Sequence, residues 1–275
     1  MRNRVGILIP FLLVTVFLAQ AAGQKFDPHD LSGFYVRSGG DSGFGPAKDM
    51  PPLTAAGEAL LKKTITPVPG RHPLVKQASG AVPSNDLALA PDDPSASNDP
   101  AFSCNPKGFP RIVIDTAHDY HEVVYTKDGR MLQLWQEERR PREIWLDGRA
   151  VPSVETVENL GPAWYGHAVG VWQGDTLVIN TVGLEDRAWL DSFGFPKSFH
   201  ARVEERYKLV APDTLQLTLT LFDPETYTKP WVSDVKTWKK VPRSTVTRRG
   251  WSGLSALGDA SCAPTNKKPY VKVGG

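Results

Sequence analysis

Cysteine is scarce: two residues in 275 are too few for a Cys-built zinc cluster or a disulfide-dense miniprotein. An excess of one charge is also missing. Lys and Arg number 32 against 30 Asp and Glu, which argues against a strongly basic nucleic-acid binder. No G-x-G-x-x-G follows a strand-like run and there is no Walker A, so no nucleotide cofactor is expected. The G-x-S-x-G elbow of α/β-hydrolases is absent as well. Beyond the first twenty residues no apolar run is long enough to span a membrane. Hydrophobic residues still make up 40% of the chain and charged ones 23%, enough of each for a packed core with a solvated surface.

The N-terminus has the layout of a secretory signal peptide. Arg2 and Arg4 precede the apolar run Val5 to Leu18, and Ala19-Gln20-Ala21 matches the small-residue cleavage rule. A periplasmic or secreted protein is expected, with residues 1–21 removed and no membrane span left. Outside the cytosol two cysteines usually pair, so a Cys104–Cys262 bridge is expected, tying the entry segment to the C-terminal tail (residues 241–275). In the chain-entropy model so long a loop stabilises by several kcal/mol.

Residues 22–110 are rich in proline, which fixes φ and removes a donor, so they read as an irregular segment. One short helix is predicted there, from Thr54 as N-cap to about Lys63. Ser79 to Pro100 reads as an exposed loop. From Arg111 short apolar runs recur at hairpin spacing. His121–Thr126 and Met131–Gln136 flank an Asp128-Gly129 turn. Arg142–Asp147, His167–Trp172, Thr176–Leu184, Arg202–Val210, Thr214–Phe222 and a run within Tyr227–Lys240 follow. Eight or nine strands with tight turns predict an all-β fold, an antiparallel meander over residues 111–240. It would form a lipocalin-like (calycin-like) barrel or a strongly curved sheet.

Period two assigns faces. Leu215, Leu217, Leu219 and Leu221 share one face of their strand. Val203, Tyr207 and Leu209 share a face with Glu205. A carboxylate there is costly unless paired, so Glu205 is either ion-paired with an arginine of a neighbouring strand or lines a cavity. His167 aligns with Val169 and Val171, and His121 with Val123 and Tyr125. Such histidines are ordinarily core residues, but the two together with Glu205 would form a site if they converged. His118 and His121 have metal-ligand spacing only on a helix, and the segment reads as strand, so no metal site is expected.

The stretch Trp164-Tyr165-Gly166-His167-Ala168-Val169-Gly170-Val171-Trp172-Gln173-Gly174-Asp175-Thr176 resembles the W-x-G-[HY]-S-x-G-x-W-E-G-D-T signature of a large family of secreted bacterial proteins without an established activity. Cys104 through Arg111, Arg142 to Trp145 with Asp147-Gly148-Arg149, Trp189 to Asp191, and Asp223 through Trp231 are similar to the same family. The resemblance covers roughly residues 30 to 265 and implies an exported all-β protein. Lys197 stands in Pro196-Lys197-Ser198 where the family commonly has histidine.

Three functions compete. A lipocalin-like module would bind a small apolar, aromatic or sugar-like molecule, with Trp145, Trp164 and Trp189 for stacking and Arg142 or Arg206 for a polar group. A cofactor-free acid–base enzyme (isomerase, lyase or hydrolase) would use His167, Asp191 and Glu205 in one cavity. A structural or envelope-interaction protein would have a filled barrel. On the cleavage rule, N-terminal sequencing of envelope-purified protein should return Ala22 first; Met1 would refute export by cleavage.

Overall fold

The computed structural model describes residues 26–40, 43–45, 49–64, 98–114, 120–135 and 140–242. Residues 1–21, read as a signal peptide, nearly all of the Ser79–Pro100 loop, His118 and Cys262 lie outside the described residues, so the Cys104–Cys262 pairing does too.

The strands are β1 (Gly33–Gly39), β2 (Tyr120–Tyr125), β3 (Arg130–Trp135), β4 (Arg142–Trp145), β5 (His167–Gln173), β6 (Thr176–Val182), β7 (Arg202–Ala211), β8 (Thr214–Phe222), β9 (Trp231–Val232) and β10 (Lys236–Val241). From β1 to β8 each pairs with the next, and β10 pairs with both β8 and β1. Nine strands thus close a barrel, and β9 pairs with β8 beyond the end of its pairing with β10. The all-β barrel expected from the sequence is present. Its meander is not purely antiparallel: β4 and β5 run parallel, matched at Ile144 with Ala168 and Trp145 with Val169. Parallel neighbours need a long connection, and residues 146–166 supply it with a short helix, α3 (Val154–Leu160), not anticipated from the sequence.

The barrel also takes β1 from the segment expected to be irregular. Apart from Pro28, the prolines of that segment lie beyond Gly39, and the strand's apolar pattern is blunted because Arg37 follows Tyr35 two residues on. The predicted helix forms as α1 (Ala55–Leu61), and the Thr54 side chain accepts the Gly57 N–H at 3.0 Å.

Inward positions follow the period-two reading. Leu215, Leu217, Leu219 and Leu221 are buried on β8, as are Val203, Glu205, Tyr207 and Leu209 on β7. At the centre the Arg142 guanidinium meets Glu205 with two parallel bonds, Nη1 to Oε2 at 2.9 Å and Nη2 to Oε1 at 2.5 Å. Both side chains have no exposed surface. The arginine comes from β4, across the barrel, not from a strand beside β7. Arg142 also donates to Gln133 and Thr181, Gln133 donates to the Tyr207 hydroxyl at 3.0 Å, and the Phe109 ring lies 3.7 Å from the guanidinium carbon.

Side chains therefore touch across the barrel axis. Leu31 closes one end, where it accepts from the Tyr35 hydroxyl at 2.9 Å. A one-turn helix, α2 (Arg111–Ile114), buries all four of its residues against the other end, where Arg37 donates to the Val113 carbonyl.

An uncompensated charge in so dry a place is costly. Glu205→Gln should lower the unfolding free energy by about 3–5 kcal/mol, read in urea denaturation. A loss under about 1 kcal/mol would show that the pair does not hold the core.

Candidate functional site

The outer face carries a cleft of about 710 Å³ beside the parallel β4–β5 seam. Only two residue pairs join those strands. The connecting segment walls the cleft beside them. Trp145, Trp164, Tyr165 and His167 line it with Arg140 and Arg149.

The Trp164–Tyr165 wall is fixed from both sides. Phe109 N–H donates to the Trp164 carbonyl at 2.8 Å, Ala163 N–H to Gly183 at 2.9 Å, and Glu185 N–H to Ala163 at 3.0 Å. The turn then needs glycine at Gly166: φ is +62°, and a Cβ would fall 2.7 Å from the Val182 carbonyl oxygen. Arg149 lays its guanidinium 3.5 Å from the Trp145 ring centre and is held there by bonds from Nε and Nη2 to the Asp147 carboxylate. Gly183, at φ +68°, lets the His167 ring pack close: a Cβ there would lie 2.8 Å from its Cδ2. His167 Nε2 is buried and accepts or donates no hydrogen bond.

The cleft brings together Trp145, Trp164 and His167, and leaves the other sequence-derived candidates elsewhere. Glu205 and Arg142 are inside the barrel and bound to each other. Arg206 is on the outer face of β7, bonded to Glu204 and Gln173. Asp191 is buried in the loop between β6 and β7, accepting from Phe44 and Phe193 N–H, and burial pushes its carboxyl up to about 6. Trp189 lines a smaller cleft of about 320 Å³ with Lys197, Ser198 and His200. His167, Asp191 and Glu205 thus share no cavity.

The two histidines are not both inward. His121 is inside, stacked 4.3 Å from Trp135 and 5.4 Å from Tyr35, and burial pushes its imidazole down to about 3. His167 faces out, because the inward side of β5 carries Ala168, Gly170 and Trp172. A Cβ on Gly170 would meet Leu146 at 2.7 Å, so this inner position carries no side chain. The apolar side of the strand is then the outer one, and Val171 is 56% exposed.

Tyr165, Arg140 and Arg149 were not among the candidates. Tyr165 and Arg149 lie within the motifs that carry the family resemblance, and Arg140 ends a charged run that reads as a solvated turn. Among the described residues no three His, Cys, Asp or Glu side chains are grouped to hold a metal ion, and no helix is long and apolar enough to cross a membrane. No family model, curated protein or solved structure matches the chain.

Lys197 is 1% exposed, its ammonium donating to the Glu185 and Ala188 carbonyls, and burial pushes it down to about 7. An unfolded lysine titrates near 10.4. Between about pH 7 and pH 10 the unfolded chain therefore binds more protons at this site, and the folded state gains stability as pH rises. Lys197→Met should remove that gain, by up to about 1.4 kcal/mol per pH unit. Denaturation curves of both proteins across this range check it; parallel curves would refute it.

Proposed function

We propose that the protein is an exported binder of a small ring-bearing molecule, a member of the secreted family it resembles, and that the outer cleft rather than the barrel lumen takes the ligand. The preformed cleft of about 710 Å³, with two indoles and a phenol in its walls, carries this reading. Its volume suits a small-molecule site, and aromatic walls match a ring's flat face. The filled barrel argues against a ligand on its axis. It also favours a second function, an envelope-interaction protein that retains no small molecule.

Native mass spectrometry of protein purified from its own envelope separates the two. A retained small-molecule adduct is expected, and Trp164→Ala should weaken its binding about tenfold, ~1.4 kcal/mol. The melting temperature should be nearly unchanged, since Trp164 is only partly buried. A wild-type protein that carries and takes up nothing would favour the interaction role.

A further inference from the structure

We infer that the cleft takes an aromatic carboxylate, with its ring against the Trp164–Tyr165 wall and its carboxylate on Arg140. This rests on the cleft being the ligand site and adds the ligand's chemical class. Two features of the lining support it.

The first is what the lining lacks. Among the described residues no Ser, Thr, Asn or Gln lines the cleft. Sugar hydroxyls each need a partner when they leave water, because an unmatched polar group costs free energy on burial. Trp164, Tyr165, Pro152, Pro162 and Leu160 form a largely apolar wall, and the polar side chains Arg140, Glu143, Arg149 and His167 lie elsewhere in the lining. An aromatic ring loses nothing there.

The second is the charge balance. Arg149 is matched by Asp147 at 2.8 Å, and Glu143 shares Arg130 with Asp128, at 3.1 and 2.7 Å. Arg140 is exposed at the cleft and makes no ion pair or hydrogen bond with any described residue. The cleft thus presents one unmatched cation beside apolar ring surface. A guanidinium is always charged and its planar fork matches a carboxylate with two parallel bonds. A monoanion with a flat apolar body complements both features. A neutral ring leaves Arg140 unmatched, and a uronate brings hydroxyls the walls do not satisfy.

The test uses the full mature chain at pH 7 and low salt, with indole fluorescence and calorimetry as readouts. The probes are benzoate, 4-hydroxycinnamate and indole-3-acetate, their amides, and glucuronate. At least one acid should bind tenfold or more tighter than its amide, and glucuronate should bind more weakly than that acid. Arg140→Gln should bring the acid to within a few-fold of the amide while leaving the amide's affinity unchanged. The side chain is exposed, so this variant keeps the fold; Arg140→Lys should restore part of the preference. Equal binding of acid and amide to the wild type, or tighter binding of glucuronate, would overturn the carboxylate assignment. If Trp164→Ala still weakened those probes, the cleft would remain the ligand site. Failure of all three acids would also overturn it, while an adduct in native mass spectrometry would leave the ligand-binding function standing.

Discussion

Two opposite charges at the centre of a β-barrel persist only if nearly every polar atom around them is matched. Here β4 provides Arg142, β7 provides Glu205, and the bonds between them run through the middle of the molecule. Thr181 on β6 and Gln133 on β3 take the remaining guanidinium hydrogens of the two Nη atoms, and Tyr207 extends the network. Four strands are thereby fixed by one set of directional contacts. Phe109 covers the guanidinium face, which places the entry segment against the barrel and, through its N–H, holds the Trp164 turn. The outer cleft inherits its shape from this inner arrangement.

The same arrangement explains why interior and exterior have separate roles. A barrel of this size is wide enough for side chains to fill, and an ion pair with its partners fills it. Ligand chemistry is left to the outer surface, where the sheet is interrupted. Trp145 shows the division well: its neighbour Ile144 is fully buried in the core, while its own ring faces out and stacks on Arg149.

Much of the fold was legible from local pattern. The leucines of β8 alternate without exception, Thr54 caps its helix, and the Asp128-Gly129 and Gly174-Asp175 turns fall between paired strands. Glu205 was readable as an inward, paired carboxylate, but its arginine was not, since period two assigns faces and says nothing of who stands opposite across a closed barrel. β1 escaped because only its closure with β10 and β2 makes it a strand. His167 was placed on the correct face of its strand, yet that face is the outer one. Apolar side chains ordinarily mark the core side, and β5 reverses the rule because Leu146 and Ile179 crowd its inner glycine. The cleft was visible only as scattered tryptophans, since its walls come from a parallel junction that no local signal announces.

That junction has a consequence for how the molecule can vary. Hairpin turns bind neighbouring strands to a fixed register, so a changed turn length disturbs the sheet. The segment from Leu146 to Gly166 is under no such constraint: it leaves one strand and rejoins the next on the outside, meeting the sheet at only a few backbone bonds. Residues inserted or deleted around α3 would widen or narrow the cleft while the ion pair and the closed barrel stayed as they are. Cavity size and scaffold integrity are thus encoded in different stretches of chain, leaving one free to drift while the other is held.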